Sequence, residues 1–298
     1  MFQDVTRGTK PLPPARSIRH FGAVMTDPTR PDSSDTYPAP SSGMPIRKAP
    51  AVTTLPAEET DPIPARPAKR HSLFRRIVTI IVKAVLWFVL ISILWVLAYR
   101  FVAPPVTLTM VGDMIGGHSV TKDWMPLSKI DPNMARAAIA GEDARFCTHR
   151  GFDIVAIEQA YQRNAKGGRI RGGSTISQQT AKNVFLIQGG GYPRKALEAY
   201  FTVLIENLWG KRRIMEVYLN VAETGIGTYG VNAGSIRYFG HDASSMSPAE
   251  AGRIAAVLPL PKKRAAIAPR GFTKRHGNTI SRRVGVVRND GLDACLRS

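Results

Sequence analysis

Three clusters of side chains in this sequence bring acids, cations and amides together at spacings that could do chemistry. The first is Glu142-Asp143-Ala144-Arg145-Phe146-Cys147-Thr148-His149-Arg150-Gly151, an acidic pair at the end of an apolar stretch with a histidine close behind. Such a pair can be solvated surface and nothing more, and His149 reads equally well as a structural hydrogen bonder or a catalyst. The second is Gly172-Gly173-Ser174-Thr175-Ile176-Ser177-Gln178-Gln179-Thr180-Ala181-Lys182-Asn183, which has the form of a helix start. Gln178 and Lys182 are four apart and share one helix face, near N-terminal N–H groups that suit an anion. Ordinary capping with a polar face explains the same residues. In the third, Arg194 and Lys195 stand where a helix begins, although the helix dipole favours acids there. Glu198 follows Arg194 by four, the spacing of a simple ion pair. Cations placed against the local electrostatics invite a functional reading. A metal centre built on His and Cys is excluded, because no His-x-x-x-His pair exists and only Cys147 and His149 lie close together.

The elements that must position these clusters read as mostly helical. Asp131 is an N-cap with Pro132 at the first position, predicting a helix through Met134, Ala138 and Ile139. Pro193 opens a second helix through Leu197, Phe201, Leu204 and Leu208; Gly210 interrupts it, and Ile214, Val217, Tyr218 and Val221 resume the period. Ser247-Pro248-Ala249-Glu250 is a capping box that leads to Ile254 and Leu258. The one strand signal is Val106 to Val111. Residues 104–298 are thus expected to form a single, mainly α domain.

Upstream the composition changes. Thirteen of the 22 prolines fall in residues 1–67, which predicts a disordered Pro-rich tail over 1–70. Residues 77–99 then carry a single charge, Lys83, over a length that spans a bilayer core as a helix, and Pro104-Pro105 follow its exit. A cleaved signal peptide does not have 70 residues before it. Arg66, Lys69, Arg70, Arg75 and Arg76 crowd the N-terminal flank, so the tail is placed in the cytoplasm and residues 104–298 outside it. That outer part holds 27 Lys+Arg against 15 Asp+Glu, a net +12 that wants an anionic partner. Its placement argues against nucleic acid.

Taken together, the clusters resemble the peptidoglycan glycosyltransferases, family 51 of the glycosyltransferases, over roughly residues 105–265. The patterns Glu-Asp-x-x-Phe-x-x-His-x-Gly, Gly-Gly-Ser-Thr-Ile-x-Gln-Gln-x-x-Lys-Asn and Arg-Lys-x-x-Glu are matched residue for residue. A fourth stretch, Lys211 to Asn220, has Met215 where the family usually has Leu, and a fifth, Arg237-Tyr238-Phe239-Gly240, continues into His241 instead of Lys. Ser119 to Lys122 spells Ser-x-x-Lys, but no Lys-Thr-Gly follows, so the stand-alone build without a transpeptidase is expected.

The resemblance implies a lysozyme-like domain with a small membrane-facing lobe, held by its anchor in the inner membrane with the catalytic part in the periplasm. It implies polymerisation of lipid II onto a lipid-linked glycan strand, inverting at the anomeric carbon, with undecaprenyl pyrophosphate leaving. Glu142 would be the general base and Glu198 the second essential acid, acting near the donor phosphates through a divalent cation such as Mg or Mn. Lys182, Arg194 and Lys195 would neutralise the pyrophosphate, and Ser174, Gln178, Gln179 and Asn183 would line the cleft. Other cell wall synthases are the expected protein partners. Two rival readings use the same residues. A lytic transglycosylase needs an acid but no pyrophosphate site, and a tethered scaffold needs only the charge.

Overall fold

The computed structural model describes residues 71–165, 173–187 and 189–297, together with Ala51. The chain divides into two units, residues 1–66 and 67–298, and all the elements below belong to the second. The tail reading over 1–70 lies outside the described residues.

The domain is mainly α, as expected. Helix α1 spans His71–Phe101, longer than the 77–99 expected. Its stretch Leu73–Phe101 is, among the described residues, the one helix long and apolar enough to cross a membrane. Most of its surface is exposed, but one face of its last turns is covered. Val96 is fully buried, and its carbonyl accepts from Trp209 Nε1 at 2.8 Å. Ser92 Oγ and Tyr200 Oη are 2.6 Å apart, and the Arg213 guanidinium donates to the Tyr99 and Val102 carbonyls. Trp95 packs edge-on against Phe185, which stacks on Phe201 with centroids 4.7 Å apart. The end of the anchor is therefore part of the hydrophobic core of the domain.

Residues 106–111, expected as a strand, instead enter helix α2, Leu108–Ile115. Thr107 decides this, because its hydroxyl accepts the Met110 N–H and caps the helix, and Met110 alone of the apolar residues is buried. Helix α3, Pro132–Glu142, starts at the Asp131 cap as the sequence predicts. Helices α4 (Ile154–Ala165), α5 (Ile176–Phe185), α6 (Gly191–Leu208) and α7 (Lys211–Val221) follow. α5 packs against both α6 and α7, and α2 lies against α5.

Three short strands form a small sheet: β1 (Thr121–Lys122), β2 (Glu223–Gly225) and β3 (Thr228–Tyr229), in the order β1-β3-β2. β1 runs parallel to β3 with Lys122 opposite Tyr229, and β2 runs antiparallel to it with an irregular register at Glu223 and Gly225. Helix α8, Val231–Phe239, leads to α9, Pro248–Val257, whose Ser247–Glu250 capping box is present on both sides. Helix α10, Gly271–Asn289, packs on α9 and α3. Its buried residues Gly277, Ile280, Val284 and Val287 recur every three or four positions. The α9–α10 crossing is close: a Cβ at Gly252 would stand 2.7 Å from the Gly277 carbonyl.

Cys147 and Cys295 form a disulfide across 148 residues of sequence. It ties the loop after α3 to the turn after α10, where Arg136 also reaches Asp293 at 2.8 Å.

Candidate active site

Helix α3 ends at Glu142, and Asp143 is its C-cap, with a non-helical backbone (φ −157°, ψ 77°). That break sends two neighbouring acids to different places. The Asp143 carboxylate turns inward, where it accepts the backbone N–H of Ile176, the first residue of α5, at 3.0 Å. His149 Nε2 lies 2.9 Å from both of its oxygens, and His149 Nδ1 accepts from the Gly151 N–H. Nδ1 is thus an acceptor, which leaves Nε2 to donate to Asp143. Both ring nitrogens are thereby engaged in contacts that hold the fold. The helix start read as a possible anion site already holds an anion, the side chain of Asp143.

Gly151 completes this junction. It has φ +87°, and a Cβ there would come within 2.7 Å of Thr202 Cγ2. Its carbonyl accepts the Thr175 hydroxyl at 2.6 Å. Thr175 is the N-cap of α5, and Gln178 folds back to close a capping box with it. The resemblance places Gln178 in the cleft; its side chain is instead buried, and its oxygen accepts the Thr175 N–H. The next residue, Gln179, faces the other way. Its Nε2 donates to Glu142 Oε2 at 2.9 Å, and its oxygen lies 3.5 Å from the buried Tyr218 hydroxyl that donates to it. Tyr218 belongs to the Lys211–Asn220 stretch, where sequence spacing marks it only as a core residue.

Burial raises the Glu142 carboxyl above the ordinary glutamate range; the Gln179 hydrogen bond and the charges of Arg264 and Lys182 pull the other way, and Asp143 pushes it further up. Arg264 lies beyond α9 in a segment to which sequence reasoning assigns nothing. It has no motif around it, so only the fold brings it here.

Lys182, one turn after Gln178 on α5, links the clusters. Burial lowers its ammonium, and it is close enough to Glu198, Arg194, Lys195 and Glu142 for each to act on it. On α6, Glu198 is buried, with Arg194 Nη1 at 3.2 Å on one oxygen and Lys195 Nζ on the other. The i,i+4 ion pair expected from spacing is therefore real, and it sits inside the cluster. Arg194 Nε is buried and has no hydrogen-bond partner. Ser174 Oγ accepts from Lys195 at 3.4 Å. Two hollows flank this arrangement. One, of about 420 Å³, is lined by Glu142, Ser174 and Thr175. The other, of about 230 Å³, is lined by Gln179, Lys182 and Asn183.

The divalent cation implied beside Glu198 does not fit these residues. Both Glu198 oxygens face cations, and no group of three or more His, Cys, Asp or Glu that could hold a metal exists among the described residues. His241, in place of the family's Lys, has Nε2 3.2 Å from Glu250 and Nδ1 at the Asp242 carbonyl. The Asp242 carbonyl and Glu250 raise its imidazole above the ordinary histidine value.

The family described as transglycosylase matches residues 109–285, further than the 105–265 expected and into α10. The chain is 51% identical over 201 residues to the biosynthetic peptidoglycan transglycosylase of Caulobacter vibrioides, covering 67% of this chain and 88% of that protein. It is 45% identical over 225 residues to the protein of the same name from Xanthomonas campestris pv. campestris, covering 73% and 90%. The one from Pseudomonas aeruginosa is 45% identical over 216 residues, covering 70% and 91%. A match across more than half the chain, laid over the elements that carry Glu142, Lys182 and Glu198, makes this protein a member of the transglycosylase family.

Proposed function

We propose that this chain is a peptidoglycan glycosyltransferase that polymerises lipid II into glycan strands. The carrying observation is Lys182, which is coupled to Glu142 on one side and to the Arg194, Lys195 and Glu198 group on the other. Sugar transfer from a lipid pyrophosphate makes two separate demands. The acceptor hydroxyl is a weak nucleophile and needs a base, whereas the pyrophosphate leaves readily once its charge is met.

Glu142 is the base. Its carboxylate takes the proton of the acceptor 4-hydroxyl as the oxygen attacks the anomeric carbon of the growing strand. The anomeric C–O bond breaks from the opposite face, inverting the centre, and its electrons leave on undecaprenyl pyrophosphate. Lys182, Arg194 and Lys195 hold that charge; the partnerless Nε of Arg194 supports a forked contact to a phosphate oxygen. Glu198 keeps the guanidinium and the Lys195 ammonium aimed, as a positioning residue. Gln179 orients the base, and Ser174 and Asn183 line the two sides of the cleft.

The tail lies in the cytoplasm and the domain across the inner membrane from it. The basic cluster before α1 supports this, and so does the Cys147–Cys295 disulfide, which suits an oxidising compartment.

The test supplies purified full-length chain with lipid II and, separately, with preformed glycan. Polymer from lipid II that is blocked by moenomycin, the donor-site inhibitor implied by the resemblance, is the expected result. Cleavage of glycan without polymer would make it a lytic enzyme, and neither outcome would leave a scaffold.

A further inference from the structure

The hollow beside Lys182 contains a second acid that the reading above does not use. Glu223 sits on β2 with 8% of its surface exposed. The Gly227 backbone N–H donates to its carboxylate, while its Oε1 is buried without any hydrogen-bond partner. The closest cation is Lys262, at 4.0 Å, too far for a hydrogen bond. Lys262 is itself engaged by Asp113 at 2.5 Å, and the other Asp113 oxygen accepts the Tyr229 hydroxyl at 2.7 Å. Lys262, Asp113 and Tyr229 are thus paired with one another, and one Glu223 oxygen is left over. Gly227's turn needs only one carboxylate oxygen, so the fold gives no reason for the other.

The walls of the hollow say what that oxygen could take. Gln179, Lys182, Asn183, Lys262 and Lys263 line it together with Glu223. An ammonium guest would meet three lysines, and a phosphate pressed against Glu223 would meet a carboxylate. A neutral donor suffers neither repulsion. We infer that Glu223 is a substrate-binding residue whose free oxygen accepts a hydrogen bond from a hydroxyl or acetamido N–H of an N-acetylhexosamine unit seated beside Lys182. This rests on the proposed glycosyltransferase reading.

Burial pushes the Glu223 carboxyl up to about 7; Lys262 draws it down and Asp113 raises it. The titratable groups that face it are Asp113 on α2, Lys182 on α5, Tyr218 on α7, Tyr229 on β3, Tyr238 on α8, and Lys262 and Lys263 after α9. Glu223 itself is placed to change charge near neutrality.

The experiment measures kcat and KM for lipid II between about pH 6 and 9, with melting curves, for full-length wild type, Glu223→Gln and Glu223→Ala. Glu223→Ala should raise KM by about tenfold or more, the loss of a charge-assisted hydrogen bond, with kcat changed far less. Glu223→Gln should recover part of that loss through its amide oxygen. Wild-type KM should rise as pH falls through about 7, and Glu223→Gln should lack that step. Because the folded carboxyl titrates above its unfolded value, its ionised form opposes folding, so Glu223→Gln should melt no lower than wild type at pH 8. Unchanged KM in both variants overturns the inference, as does a loss of activity that only follows a lower melting temperature. A wild type that makes no polymer overturns the glycosyltransferase reading, and this inference falls with it.

Discussion

Glu142 and Asp143 are adjacent, yet the end of α3 falls between them and assigns them opposite work. Glu142 keeps one oxygen bonded to Gln179 and otherwise stays at the cleft, with burial raising its carboxyl. In the proposed role of base it acts only when ionised, so turnover should fall as pH drops through its raised value, and the acid limb should stand above the ordinary glutamate value of about 4.3. Glu142→Gln should remove that limb and lower kcat by roughly 10²–10⁴-fold without lowering the melting temperature. Gln179→Ala removes a donor that favours the ionised form, so its acid limb should move to higher pH; a limb that stays put would dissociate Gln179 from the base. Asp143 should behave differently. Its buried carboxylate joins His149 to the start of α5, and Asp143→Asn gives up charge-assisted bonds worth about 1.5–3 kcal/mol. Calorimetry should record a drop of several degrees, since about 1 kcal/mol moves a domain of this size by roughly 2–4 °C. An Asp143→Asn variant that melts normally but does not turn over would reverse this assignment.

At the scale of elements, the sequence was legible where a local device sets the boundary. Asp131 with Pro132, Gly210, and the Ser247–Glu250 box all begin helices where their chemistry requires. It was illegible where distant partners decide. Val106–Val111 shows both sides: in sequence the apolar run outweighs the local Thr107 cap, and the packing of α2 on α5 is not visible there. The strands are two or three residues long, too short for any alternation to show, and α10 buries only Gly277, Ile280, Val284 and Val287 amid charge. The proposed site divides likewise: spacing singles out Lys182, Arg194 and Lys195 and the resemblance adds Glu142, but the inward turn of Gln178 and the approach of Arg264 depend on tertiary contacts. The anchor illustrates the same point. Read as a membrane span, its C-terminal end belongs also to the core, where Trp95 contacts Phe185, Phe201 and Tyr99. Trp95→Ala should therefore destabilise the soluble part by about 2 kcal/mol, less than a fully buried tryptophan because Trp95 is half-buried. Thermal melting in detergent micelles checks this, and an unchanged melting temperature would mean that α1 only tethers the domain.

For the whole molecule, the contacts that close the chain are separate from the side chains that line the hollows of the proposed site. Cys147 and Cys295 join points 148 residues apart, a loop whose closure in the unfolded chain is worth ~5 kcal/mol in the entropic picture. The turn that carries Cys295 has other anchors: Asp293 pairs with Arg136 at 2.8 Å and Arg297 at 2.9 Å, and Arg212 donates to the Leu296 carbonyl. Neither sulfur lines the hollows beside Glu142 and Lys182. Loss of the bridge should thus act mainly on the unfolded state and leave the folded site as it is. The double variant Cys147→Ser, Cys295→Ser should melt several degrees lower, for a loss of about 2–5 kcal/mol, yet keep near-normal kcat and KM for lipid II well below its melting point. Reductant should lower the wild-type melting temperature by the same amount and leave the double variant unmoved. A double variant with full stability would show that the remaining anchors suffice. One that stays folded but loses turnover would show that the bridge holds the loop between Glu142 and His149 in its working shape, and would make the redox state of this pair part of the activity.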